Sequence, residues 1–103
     1  EYYFVNRKDR QIKLNGHRIE LDEIDNVISD KIGHTSLSIK FNNKIYTFIN
    51  GYFDNNKLLS YIKKRLPNYM IPSKLYFIKV WPKNKNLKTD ETKLLKIIKL
   101  QKI

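Results

Sequence analysis

Few residues of this chain are placed to do chemistry. Lys88 stands in the run NLKTD at residues 86–90, in a loop just ahead of the last helical pattern. A lysine on a loop presents a compact point charge on a long stem, suited to meeting phosphate or a developing oxyanion. At the other end, residues 7–24 read RKDRQIKLNGHRIELDEI and gather Arg7, Asp9, Gly16, Arg18 and Glu20. Gly16 is the only glycine of that region, so no glycine-rich phosphate cradle forms, and there is no Walker-type loop. His17 and His34 are not at metal-ligand spacing, and no cysteine supports them. Neither has a recognisable nucleophile partner. Taken alone, these motifs describe a basic binding module.

The elements that must position these residues follow from periodicity. Gln11–Leu14 alternates like a strand, Asn15-Gly16 is a two-residue hairpin turn, and His17–Glu20 is the returning strand. Leu21, Ile24, Val27 and Ile28 then share a helical face, with Asp22 and Glu23 in the first turn and Gly33 as the stop. Ser36–Phe41 and Lys44–Asn50 read as strands joined at Asn42-Asn43. Asp54 caps a helix whose apolar residues are Leu58, Leu59, Ile62 and Leu66, and Leu66-Pro67 ends it. Residues 69–72 form a stiff apolar connector, residues 74–80 a third strand, and residues 81–88 a loop. Thr89 or Asp90 caps a last helix through Lys99, with Leu94, Leu95, Ile97 and Ile98 as its apolar side. The order predicts an α+β domain: an N-terminal β-hairpin, then a small three-stranded sheet packed with helices.

With 103 residues the chain makes one domain at most. Lys plus Arg is 21 against 10 for Asp plus Glu, and a net charge of +11 favours anionic partners. Nucleic acid is not the expected partner. Tyr46, Phe48, Tyr76 and Phe77 sit at strand positions where core packing is the default, and no RNP-like motif appears. No apolar run reaches membrane-spanning length, no signal peptide opens the chain, and the absence of cysteine fits a reducing compartment, so a cytoplasmic location is expected. The first residue is not Met, which predicts a fragment or processed chain.

Three stretches carry a specific resemblance. RKDRQIKLNGHRIELDEID resembles the eighth core motif of adenylate-forming enzymes, approximately GRxDxQVKIRGxRIELxEIE. LPNYMIP at residues 66–72 resembles the ninth, LPxYMIP, and PKNKNLKTDETKL at residues 82–94 resembles the tenth, P-x-x-x-N-G-K-x-D-R-x-x-L. They occur in the right order and span nearly the whole chain. Within the superfamily the wording is most like amino-acid adenylation domains of nonribosomal peptide synthetases and D-alanine–carrier protein ligases. The resemblance covers the small C-terminal subdomain only.

That resemblance implies a domain, residues 1–103 with a hinge region at 1–10, that rotates between an adenylating and a thioester-forming pose. It implies ATP, with magnesium held mainly by a large N-terminal subdomain, and the phosphopantetheine of a carrier protein as cofactors. The large subdomain and the carrier protein are the implied partners. Lys88 aligns with the catalytic lysine, Asp9 with the hinge, Arg7 with a nucleotide-contacting arginine, Gly16 with the hairpin tip lining the pantetheine channel, and Arg18 with a structural or phosphate-meeting position. Asn6 and Leu87 replace glycines of the pattern, and Glu91 replaces an arginine. These departures favour, as the alternative, a non-catalytic interaction module of the same fold that binds a carrier protein or another anionic partner. The isolated chain is expected to fold without catalysing, because one lysine does not make an ATP site.

Overall fold

The computed structural model describes residues 10–86 and 88–101. Arg7, Asp9, Asn6 and Leu87 lie outside the described residues. Strands β1 (Gln11–Leu14) and β2 (His17–Glu20) form an antiparallel hairpin, and α1 (Leu21–Ile32) follows directly. Strands β3 (Ser36–Phe41), β4 (Lys44–Asn50) and β5 (Lys74–Ile78) make a second sheet in that order. β3 and β4 pair antiparallel and β4 and β5 parallel. The parallel pair needs a crossover, supplied by α2 (Asn55–Arg65) and a 3-10 turn at Asn68–Met70. The last helix, α3, is Glu91–Gln101.

Local chemistry sets the boundaries. Gly33 closes α1 at φ 72°, its N–H donating to the Ser29 carbonyl at 2.8 Å. The Asp54 carboxylate caps α2 by accepting from the Lys57 N–H at 3.0 Å. Asn42 and Asn43, at φ 52° and 61°, turn β3 into β4. The third strand ends two residues earlier than its pattern predicts, at Ile78 instead of Val80. Its partner β4 runs out at Asn50, opposite Ile78, so Lys79 and Val80 have no ladder to join.

Alternation along the sheet builds two cores. On one face Ile45, Ile49 and Leu75 pack with Leu21, Ile24 and Ile28 of α1, Leu58 and Ile62 of α2, and Leu14 and Ile19 of the hairpin. On the other, Ile39, Tyr46, Phe48 and Tyr76 pack with Leu94 and Ile98 of α3. The sheet is thus the middle of three layers. Its aromatics Tyr46, Phe48 and Tyr76 are buried, so they offer no surface on which bases could stack.

Candidate functional site

Lys88 belongs to a loop braced from within. The Asn84 side-chain oxygen accepts from the N–H groups of Asn86 at 2.9 Å and Lys88 at 3.1 Å. The Asn84 N–H donates in turn to the Lys88 carbonyl at 2.8 Å. Asparagine is suited to this because its amide oxygen copies a backbone acceptor. Lys83 and Thr89 face each other across an antiparallel bridge, and the Asp90 N–H donates to the Pro82 carbonyl at 3.0 Å. The Trp81 indole N–H reaches the Thr89 hydroxyl at 2.8 Å. Asp90 also caps α3, accepting from the Lys93 N–H at 3.3 Å. Support therefore runs from the buried Leu94 and Ile98, through α3 and its cap, to a loop that leaves the Lys88 side chain exposed.

The hairpin carries the other described candidates. Asn15 at φ 52° and Gly16 at φ 85° make the two-residue turn. A side chain added at Gly16 would meet nothing within 4 Å, so the glycine answers to backbone conformation and its outer side is open. Arg18 is exposed and lies opposite Lys13, also exposed, so the two cations share one face of the hairpin. His17, at the tip, stacks on Tyr69 of the 3-10 turn with ring centroids 3.9 Å apart and planes 6° from parallel.

A further group was not singled out by the sequence patterns. Arg10 is buried, and its guanidinium donates to Asp22 at 2.8 Å, to the Ser38 carbonyl at 2.7 Å and to Asp25. Asp25 also accepts from the Ser38 hydroxyl at 2.7 Å, and that hydroxyl lies 2.8 Å from the Thr47 hydroxyl. Burial pushes the Asp25 carboxyl up to about 7, against the pull of Arg10 and Ser38. The available signal was Asp25 itself, an acid four residues after Leu21 and three before Ile28, on the inward face of α1. A carboxylate at such a position demands a partner. Arg10, the first described residue, is thereby bonded into the body of the domain.

The structure does not gather these residues into one pocket. The hairpin packs with the α1–α2 layer, whereas the Lys88 loop leads into α3 on the opposite face of the sheet. A cleft of about 200 Å³ between Arg10, Lys40 and Glu91 brings the start of α3 near the start of the described chain. No group of three His, Cys, Asp or Glu suited to a metal ion occurs among the described residues. No helix there is long and apolar enough to cross a membrane.

Comparison with known proteins gives this arrangement a context. The chain is 32% identical over 101 residues to a nonribosomal peptide synthetase of Claviceps purpurea, covering 95% of this chain and 5% of the relative. It is 33% identical over 101 residues to bacitracin synthase 1 of Bacillus licheniformis, covering 88% of this chain and 2% of that protein. Among solved structures, an AMP-forming acyl-CoA synthetase-like protein of Dyadobacter fermentans matches with TM-score 0.72 and 24% identity, over 89% of this chain and 30% of that one. MatB of Rhodopseudomonas palustris matches with TM-score 0.74 and 18% identity, over 88% of this chain and 20% of that one. No protein-family model matches. The chain spans only a small part of each curated relative, from 1% to 11% of its length. The chain is recognised, from its three ordered motifs, these relatives and this fold, as a C-terminal subdomain of the adenylate-forming enzyme superfamily.

Proposed function

We propose that this chain is the mobile C-terminal part of a ligase that activates an amino acid with ATP and passes it to a carrier-protein thiol. The observation that carries the reading is the Lys88 ammonium, presented to solvent by a loop whose backbone is held by Asn84, Thr89 and Asp90. In the first step the substrate carboxylate attacks the α-phosphorus of ATP and pyrophosphate departs. Negative charge accumulates on the phosphoryl oxygens, and a positioned ammonium offsets it while holding both reactants in line. In the second, the phosphopantetheine thiol attacks the acyl carbonyl, a thioester forms and AMP departs. Magnesium would neutralise the triphosphate charge and be held by residues outside this chain.

Two surfaces suit two steps. With Lys88 on the α3 side of the sheet and Gly16 on the hairpin side, a turn of the whole domain can exchange one for the other at a fixed substrate. Asp9 serves as the pivot and Arg7 contacts the nucleotide. Gly16 borders the passage for the pantetheine arm, a role that its open outer side fits. Arg18 meets phosphate from the exposed face that it shares with Lys13. The large N-terminal subdomain and the carrier protein are the partners, in the cytoplasm.

The test is ATP–pyrophosphate exchange by the complete polypeptide that bears this chain, across a panel of amino acids. Exchange that depends on one or a few of them is expected. The absence of exchange with every acid, from a folded protein, would favour the non-catalytic interaction module.

A further inference from the structure

Short hairpins need to be held. β1 and β2 have four residues each, and an isolated two-stranded hairpin of that size is marginal in water. One side of this one is secured: Leu14 and Ile19 are buried in the core, and the Lys40 ammonium donates to the Lys13 carbonyl at 3.2 Å. The turn follows directly on Leu14, whose strand partner is His17. Asn15, Gly16, His17 and Arg18 are all exposed, and the ring of His17 lies on that of Tyr69. Tyr69 has a firm footing of its own. It sits in the 3-10 turn beside Met70, which is buried in the same core, with Pro67 before it and Pro72 after.

We propose that His17 and Tyr69 are positioning residues: their face-to-face stack pins the hairpin tip to the 3-10 turn and so fixes where Gly16 stands. The stack joins two stretches that are 52 positions apart, as His17 and Tyr69 show by their numbers. Ring planes at 6° and centroids at 3.9 Å leave the hairpin little freedom to swing away from the turn without losing the contact. The contact is between ring faces, so the ring and not its nitrogens performs the task. Where the tip borders the path of the carrier thiol, its placement matters for thioester formation and not for adenylation. This consequence rests on the function proposed above.

Two readouts on the complete protein separate the proposal from that reading. Amide hydrogen exchange of the segment covering residues 11–20 is expected to quicken several-fold in His17→Ala and in Tyr69→Ala, and to stay at the wild-type rate in His17→Phe. Thioester transfer to the carrier is expected to slow about ten-fold in both alanine variants, with pyrophosphate exchange within two-fold of wild type and His17→Phe restoring transfer. Unchanged hydrogen exchange in His17→Ala overturns the pinning, and so does failure of His17→Phe to restore it. Wild-type protein lacking both ligase activities overturns the function alone, since the hydrogen-exchange result still decides the stack.

Discussion

Lys88 has an exposed side chain and a held backbone, and the two can be separated by mutation. Truncating the side chain in Lys88→Ala removes no packing, so its stability cost is expected to stay within about 0.5 kcal/mol by thermal or urea unfolding. Asn84→Ala acts on the other half. It withdraws the acceptor used by the Asn86 and Lys88 N–H groups, and a loss of about 1–2 kcal/mol is expected. On the function proposed above, adenylation should fall as well, because the ammonium is then poorly placed. A second residue-scale case is Gly16→Ala. Nothing obstructs the added methyl group, yet φ is 85°, so a cost of about 1–2 kcal/mol is expected from backbone conformation alone. Chemical unfolding of the variant against wild type measures it.

At the scale of elements, the buried polar group on α1 dominates. Arg10→Met leaves Asp25 buried beside Asp22 with its cation gone, and a loss of about 3–5 kcal/mol is expected above neutral pH. The pH dependence has a definite sign. The Asp25 carboxyl is raised from 3.8 to about 7, so the folded state holds its proton where the unfolded chain has released it. Its stabilising contribution is complete below pH 3.8 and is lost as pH rises toward about 7. Asp25→Asn is expected to flatten the stability profile across that window, as urea titrations at successive pH values would show. Legibility from sequence divides along the same line. The hairpin turn, the Asp54 cap and the Gly33 stop were readable because each depends on residues next to one another in the chain. Arg10 and its acids were not, because Asp22, Asp25 and Ser38 lie 12 to 28 positions away, and only the packing of α1 on β3 brings them together. Likewise Lys88 could be picked out by its motif, whereas the role of Asn84 required the loop's hydrogen bonds.

For the whole molecule, the three-layer arrangement is compatible with the two-step role proposed above. Its sheet is covered on both faces, so the loop before α3 and the hairpin before α1 project from different layers. The chain spans 5% of its Claviceps purpurea relative, so the function proposed above places catalysis in a larger assembly to which this domain would lend a lysine. The net charge of +11 suits an anionic substrate and an acidic partner, and on the function proposed above raising the salt concentration is expected to weaken carrier recognition through the Michaelis constant more than through turnover. The most direct measurement is amino-acid-dependent ATP–pyrophosphate exchange by the complete polypeptide and its Lys88→Ala variant, with both shown to be folded. The account predicts a fall of about 100-fold or more in the variant, the scale of losing a preorganised charge at a reacting phosphate. Exchange by Lys88→Ala at a near-normal rate would contradict it.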